Sequence, residues 1–145
     1  MKLFLIRHGN ATNKAFSIGK PLSDMGIAEV QVLAKNIKKT DFLVEQIFHS
    51  GKLRAEQTAE IIQNYLNSNM PLAKDPFLSP DQNIDIWKEK ILSEKVNTML
   101  VGHNPYMSVL ASNLCNKSIN FNTASCVVLE LDQNKKWHLI WEYHH

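Results

Sequence analysis

The chain opens on a run of apolar residues that stops abruptly at charged ones. Five of the first six residues are apolar, which is typical of a buried strand, and Arg7, His8 and Gly9 follow at once. A charged residue and an imidazole pack poorly in a core, but they suit the carboxyl edge of an open sheet, where α/β proteins bind ligands. The pattern predicts a strand that ends at a cleft. A solvated loop is the alternative interpretation of this tripeptide.

Apolar residues at helical spacing predict two amphipathic helices in the first half of the chain. The first covers residues 24–39 and has Ser23 as its N-cap; its apolar face consists of Ile27, Val30, Leu33, Ala34 and Ile37. The second covers residues 53–66, with its apolar face at Ala55, Ala59, Ile62 and Leu66. Residues 11–22 form a polar loop that is long for a compact domain, which favours a functional role.

The remaining chain alternates between strand and helix patterns. Strands are predicted at residues 45–50, near 71–74 and at 96–101, and two more, 126–131 and 137–143, pair as a hairpin. Asp81 or Asn83 is expected to cap a third helix that carries Ile84, Trp87 and Ile91. Asn104 and Pro105 suit the N-cap and first position of a fourth helix.

This order of elements predicts an α/β fold in three layers. A mostly parallel central sheet has helices on both faces, and the C-terminal hairpin adds an antiparallel edge. With 145 residues, no internal repeat and no linker, the chain is expected to form a single domain over residues 1–145.

Composition excludes several classes of protein. The net charge of +2 is too small to indicate nucleic-acid binding, and no stretch is long and apolar enough to predict a membrane span. The two cysteines, Cys115 and Cys126, have no metal-binding spacing and are expected to be buried free thiols, with a disulfide as the alternative. No secretory signal pattern follows the N-terminal run, so we expect a cytoplasmic protein. A monomer is the default expectation for a small single domain without a heptad or an obvious apolar patch.

Three segments place chemistry-bearing residues at predicted strand ends. Gly102 and His103 follow the strand at 96–101 as His8 follows the first strand, so the two histidines should face each other across a cleft. Arg54 lies near a helix N-terminus, which is a natural anion site. Two arginines and two histidines in one cleft predict a pocket for phosphate or sulfate. A guanidinium group can donate two parallel hydrogen bonds to two oxygens of such an anion.

These segments resemble the histidine phosphatase superfamily, which has the phosphoglycerate-mutase-like fold. The resemblance rests on Arg7-His8-Gly9, on Ser50-x-x-x-Arg54-Ala55-x-Gln57-Thr58-Ala59 and on Gly102-His103 before a helix. The short length, the segment 48–58 and Pro21-Leu22-Ser23-x-x-Gly26 are similar to the SixA-type phosphohistidine phosphatases. The resemblance spans nearly the whole chain.

The resemblance implies covalent phosphoryl transfer without a metal or cofactor. His8 would attack phosphorus, and Arg7, Arg54 and His103 would neutralise the phosphoryl oxygens. The attacking imidazole must be neutral, and the carbonyl of Gly9 is a candidate to fix its tautomer. Asn10 is a possible donor to a phosphate oxygen, and Ser50 a residue that holds Arg54 or the phosphate. His49 is expected to be a packed side chain.

The sequence departs from the superfamily pattern at the leaving-group acid. Many members carry a glutamate after the second helix, whereas this chain has Phe77 at about that position. Asp81 is the nearest following carboxylate, and a helix N-cap is its alternative role. Alkyl phosphate esters need an acid to protonate the leaving alkoxide, whereas the P–N bond of phosphohistidine is labile.

The favoured hypothesis is therefore a phosphatase that acts on phosphohistidine in a protein such as a phosphotransfer domain of a signalling relay. A small-molecule phosphomonoester phosphatase of the same fold, with Asp81 or Asp24 as the acid, is one alternative. A module that binds a phosphorylated partner without turnover is another, although a binder has no need of the nucleophile.

Overall fold

The computed structural model describes residues 1–144, and within that range it contains one six-stranded sheet and four α-helices. The strands are β1 Lys2–Arg7, β2 Gln46–His49, β3 Leu72–Lys74, β4 Thr98–Gly102, β5 Cys126–Leu131 and β6 Trp137–Tyr143. The helices are α1 Asp24–Lys39, α2 Leu53–Leu66, α3 Asp85–Ser93 and α4 Tyr106–Cys115, and a 3₁₀ turn covers Pro76–Leu78.

The sheet has the order β3-β2-β4-β1-β5-β6, and its first four strands are mutually parallel. The pairings β1–β5 and β5–β6 are antiparallel. This confirms the predicted mostly parallel sheet with a hairpin at its edge. In the β1–β4 pairing Arg7 lies opposite Gly102, so the chain leaves both strands at the same level of the same edge.

Alternate residues of the central strands supply two separate cores. Phe4 and Ile6 of β1 face one side and pack in the core formed with α1 and α2. Leu3 and Leu5 face the other side and pack in the core formed with α3 and α4. All four side chains are fully buried. Helices therefore cover both faces of the sheet, as its nearly continuous apolar strands require.

Local side-chain hydrogen bonds mark the starts of α1 and α3. The Ser23 hydroxyl accepts a 3.0 Å hydrogen bond from the Gly26 N–H, as the sequence predicted. At α3 the N-cap is Ile84, and the Asn83 side chain accepts from the Asp85 N–H at 2.9 Å. Asp81 lies in the preceding turn, too far back along the chain to cap this helix.

The predicted start of α4 was wrong by one residue. Pro105 is the N-cap and Tyr106 the first helical residue, after a cis Asn104–Pro105 peptide bond. The Asn104 side chain donates to the Phe121 carbonyl at 2.9 Å and accepts from the Ser108 hydroxyl at 2.9 Å. Asn104 thus ties the helix start to the segment before β5.

Two further features bear on the sequence expectations. Cys115 and Cys126 are both free and buried. In residues 1–144 no helix combines the length and the apolar character needed to cross a bilayer.

Candidate active site

The site lies at the carboxyl edge of the sheet, where β1, β2 and β4 end. His8 follows β1, His103 follows β4 and Ser50 follows β2, while Arg54 is in the first turn of α2. Because β1 and β4 are paired neighbours, the two imidazole rings meet edge to face, with their centroids 5.0 Å apart. Arg7 is the last residue of β1, and its charge and that of Arg54 both act on His8. The structure therefore brings together the four side chains predicted to converge, those of Arg7, His8, Arg54 and His103.

His8 is held as a neutral imidazole with a defined tautomer. Its Nδ1 donates to the Gly9 carbonyl at 2.6 Å, and its Nε2 accepts from Arg54 Nε at 3.2 Å. Burial lowers the pKa of His8 to about 4, and the positive charges of Arg54 and Arg7 act in the same direction, whereas the Gly9 hydrogen bond opposes them. Near neutral pH Nε2 of His8 is therefore unprotonated and keeps its lone pair.

His103 is also neutral, and its surroundings select its tautomer. Burial lowers its pKa to about 3, and the positive charges of Arg54, Lys52 and Arg7 add to the shift. Ser50 Oγ lies 2.7 Å from His103 Nε2 and already accepts from the Lys52 N–H at 3.2 Å. A buried hydroxyl needs an acceptor for its own proton, so Ser50 donates to Nε2 and the ring proton lies on Nδ1.

These contacts add detail to two expectations about the site. Near neutral pH His103 is uncharged, so its expected action on phosphoryl oxygens would come from an N–H dipole. Its Nδ1 is buried and has no hydrogen-bond partner among residues 1–144. The Ser50 hydroxyl contacts His103, and the expected contact of Ser50 with a phosphate stays a prediction.

Neither guanidinium is neutralised by a carboxylate. Arg7 donates from Nη1 to the Phe121 carbonyl at 2.9 Å, and its buried Nε has no partner in the described part of the chain. Arg54 contacts His8, and no salt bridge of residues 1–144 includes either arginine. Burial lowers the pKa of both. Two partly buried cations without counterions form a site for an anion.

Two residues whose roles the sequence did not reveal fix the segments around the nucleophile expected from the sequence, His8. Residues 8–10, which follow β1, are here called the nucleophile loop. The Thr58 hydroxyl accepts from the Gly9 N–H at 3.1 Å and donates to the Arg54 carbonyl at 2.7 Å. Gln57 Oε1 accepts from the Leu22 N–H at 2.7 Å. Both follow Arg54 within one helical turn, so their place in the motif was visible, but their partners are distant in sequence.

Asn10 connects the nucleophile loop to α1. Its side-chain oxygen accepts from the Ser23 hydroxyl at 2.7 Å, and its carbonyl accepts from the Ser23 N–H at 3.0 Å. A Cβ on Gly26 would lie only 2.0 Å from the Asn10 carbonyl oxygen, so this close approach of helix and loop requires glycine. Contact of Asn10 with a phosphate oxygen stays a prediction.

The other candidates lie apart from this cluster. Asp81 is exposed, and no hydrogen bond or ion pair in residues 1–144 joins it to the clustered histidines and arginines. His49 is buried, and its Nδ1 accepts from the Gly51 N–H at 3.1 Å, as expected of a packed side chain. His138 and His144 pair with Asp132 and Glu142, and His145 lies outside the described residues.

The described residues contain no group of side chains arranged to bind a metal ion. Among residues 1–144, no group of three histidine, cysteine or acidic side chains is placed to hold a metal ion. The groups in the cleft are instead a neutral imidazole with an unprotonated Nε2, an imidazole N–H and two cations. This set suits transfer of a phosphoryl group, in which positioning and charge stabilisation carry most of the catalysis.

Comparison with known proteins adds independent findings. The sequence profile of the histidine phosphatase superfamily (branch 1) matches residues 3–79. The chain is 28% identical to the phosphohistidine phosphatase SixA of Escherichia coli strain K12 over 149 aligned positions, which cover 98% of this chain and 92% of that protein.

Solved structures share the whole fold. The protein histidine phosphatase SixA in complex with tungstate superposes with a TM-score of 0.89 at 26% identity, covering 99% of this chain and 97% of that one. A phosphoglycerate mutase from Plasmodium falciparum superposes with a TM-score of 0.75 at 20% identity, covering 97% and 88%, and shows the fold alone.

Proposed function

The chain belongs to the histidine phosphatase superfamily, and on that premise we propose that it is a phosphatase that removes the phosphoryl group from phosphohistidine in a protein. One observation carries the proposal: the neutral His8 presents its Nε2 lone pair beside two arginines that have no carboxylate partner within residues 1–144. The similarity to SixA supports the same substrate class. Tungstate, a tetrahedral oxyanion like phosphate, is the ligand of the solved SixA structure.

In the proposed first step, His8 Nε2 forms a bond to phosphorus as the P–N bond of the substrate breaks. The substrate ring carries a proton on its second nitrogen, so when the electron pair of the P–N bond returns to the ring, it leaves as neutral imidazole. Arg7, Arg54 and the Nδ1–H of His103 stabilise the three phosphoryl oxygens, while the Gly9 carbonyl holds the proton of the attacking ring. Water then cleaves the phosphohistidine on His8, giving inorganic phosphate and the original imidazole.

The carboxylates of this region support phosphohistidine over alkyl esters. Asp75, at the end of β3, is tied to Lys90 at 2.6 Å and to the Phe77 N–H at 3.0 Å. Asp81 is exposed and makes no contact with His8 in the described residues. An alkoxide leaving group needs a proton that neither is placed to give, whereas a phosphorylated imidazole that already carries a proton on its second nitrogen leaves as a neutral ring.

We further propose that the enzyme works as a single-domain monomer in the cytoplasm, without a metal or cofactor. The free, buried state of Cys115 and Cys126 supports a reducing compartment. The partner is expected to be a phosphohistidine-containing protein such as a phosphotransfer domain.

Release of inorganic phosphate tests the proposal. Wild-type protein is given a histidine-phosphorylated phosphotransfer domain and, separately, an aryl phosphate. We expect turnover of the phosphoprotein, at least about 10³-fold slower in His8→Ala, because the nucleophile is lost. Substitution of the exposed His138 by alanine is the matched control and should change nothing.

Each outcome assigns the function. Trapping of an acid-labile phosphoryl group on His8 would support the covalent route. Turnover of the aryl ester alone would transfer the function to small molecules. Tight binding of the phosphoprotein without any phosphate release would identify a binding module and overturn the proposal.

A further inference from the structure

A small hairpin projects beside the proposed catalytic cleft. It comprises residues 11–22 and is here called the rim hairpin. At its base Ala11 bridges Leu22, and at its tip Phe16 and Gly19 exchange backbone hydrogen bonds of 3.1 and 2.9 Å. Gly19 has a φ of +113°, which favours glycine in the tip turn. The segment that the sequence marked only as a long loop therefore has a defined shape.

The rim hairpin spans one side of the cleft. Its base follows Gly9 and Asn10 directly and is attached to α2 by the hydrogen bond from Leu22 to Gln57. At its tip, a Cβ on Gly19 would lie 3.4 Å from the Cβ of Leu53, the residue before Arg54. The hairpin thus extends from the nucleophile loop to the start of α2 and forms a wall between them.

The exposed side chains of the rim hairpin combine apolar and basic character. Phe16 is 50% and Ile18 76% exposed. Lys14 and Lys20 are exposed, and residues 11–22 contain no Asp or Glu. Lys52, beside the tip at the start of α2, is also exposed, and its charge lowers the pKa of His103. Large apolar side chains flanked by cations are typical of a surface that receives an acidic protein.

We propose that the rim hairpin is the docking surface for the protein that carries the phosphohistidine. The inference rests on the proposed function, because an imidazole on a folded protein reaches His8 only if the surrounding surface meets the walls of the cleft. The occupant is an acidic surface with an apolar centre around the phosphorylated histidine. Phe16 and Ile18 contact that centre, and Lys14, Lys20 and Lys52 attract its carboxylates.

Comparison of two substrates tests the docking surface. The double variant Phe16→Ala/Ile18→Ala is assayed on a histidine-phosphorylated phosphotransfer domain and on free phosphohistidine. We expect kcat/KM for the phosphoprotein to fall about 10-fold, mainly through KM, because exposed apolar anchors dominate such contacts. Activity on free phosphohistidine should change less than about 2-fold, because the cleft stays intact.

A matched control and a charge variant sharpen the test. Leu43→Ala/Leu92→Ala removes two equally exposed apolar side chains, 64% and 49% exposed, at the opposite edge of the sheet and should leave both activities unchanged. Lys14→Gln/Lys20→Gln should raise KM for the phosphoprotein and weaken its dependence on salt. Vesicles or nucleic acid that compete as well as the phosphoprotein would assign the surface to another partner and overturn the proposal.

Failure of the docking surface is distinguishable from failure of the proposed function. If wild-type protein turns over the phosphoprotein and the double variant does so equally well, only the docking surface is overturned. Equal losses on both substrates would show that the hairpin shapes the cleft, and would overturn docking as well. If wild-type protein releases no phosphate from the phosphoprotein, both proposals are overturned together.

Discussion

Two regions at the same edge of the sheet differ in whether their charged side chains are paired with a charge of opposite sign. At the centre, beyond β1 and β4, Arg7 and Arg54 lie beside two neutral histidines and, within residues 1–144, have no carboxylate partner. On the β3 side, Asp75 pairs with Lys90 at 2.6 Å. The ammonium of Lys90 also lies 4.6 Å from the centre of the Trp87 ring.

The difference separates a binding site from a structural pair. A buried or half-buried charge is costly unless a partner of opposite sign compensates it. On the β3 side the chain supplies that partner itself, so the region is complete without a ligand. At the centre residues 1–144 supply no such partner, and under the proposed function an incoming phosphoryl group takes its place. The predictions below alter each region in turn.

Among the changes that compare the two regions, removal of a central cation is expected to have the largest effect. Arg54→Gln should lower kcat/KM for the phosphoprotein by about 10²-fold, because a donor to the transition-state oxygens is lost. Burial lowers the pKa of His8 to about 4, and the charge of Arg54 adds to that shift. The unprotonated ring is the active form, so activity falls as the pH falls through this pKa. Without Arg54 the pKa rises, and the acid limb of the pH profile should move to higher pH.

Arg54→Lys is the matched variant for this experiment. It retains the charge but not the planar guanidinium fork, so kcat should stay low while the acid limb stays near its wild-type position. Steady-state kinetics between pH 4 and about 8 measure both quantities. An unshifted acid limb in Arg54→Gln would show that burial alone sets the pKa of His8.

The sequence predicted the local features of this site better than the contacts between segments that are distant along the chain. The bounds of α1, α2 and the C-terminal hairpin follow from periodicity, capping and turn residues, which depend on neighbours within a few positions. The proximity of His8 and His103 followed from one inference, that two strands ending in similar residues are parallel neighbours. Contacts such as Thr58 to Gly9 and Ser50 to His103 depend on how loops cross the edge, which no local pattern encodes.

A smaller effect is expected when the tautomer of His103 is released. Ser50→Ala removes the donor to His103 Nε2, so the ring proton is no longer confined to Nδ1. We expect kcat to fall about 10-fold, equivalent to ~1.4 kcal/mol. The nitrogen-15 chemical shifts of His103 should show the Nδ1–H tautomer in the wild type and a mixture in the variant.

A matched serine separates this effect from general loss of stability. Ser112 also uses its hydroxyl in two hydrogen bonds, both to the backbone of Ile119, well along α4 from the site. Ser112→Ala should therefore leave kcat and the His103 shifts unchanged. A wild-type spectrum with the proton of His103 on Nε2 would contradict the assigned role of Ser50.

The smallest effect on activity is expected on the β3 side, where the charge is already compensated. Asp75→Asn keeps the acceptor for the Phe77 N–H but removes the charge that pairs with Lys90. Because the Lys90 side chain is 40% exposed, water can replace much of that partner, and urea unfolding should show a loss of about 1 kcal/mol. Phosphate release from the phosphoprotein should change less than about 2-fold.

Lys90→Met in the same background should add little further loss of stability, because the pair is already broken. A variant that kept its stability but lost turnover of an ester substrate would instead identify Asp75 as the proton donor and erase the contrast between the two regions.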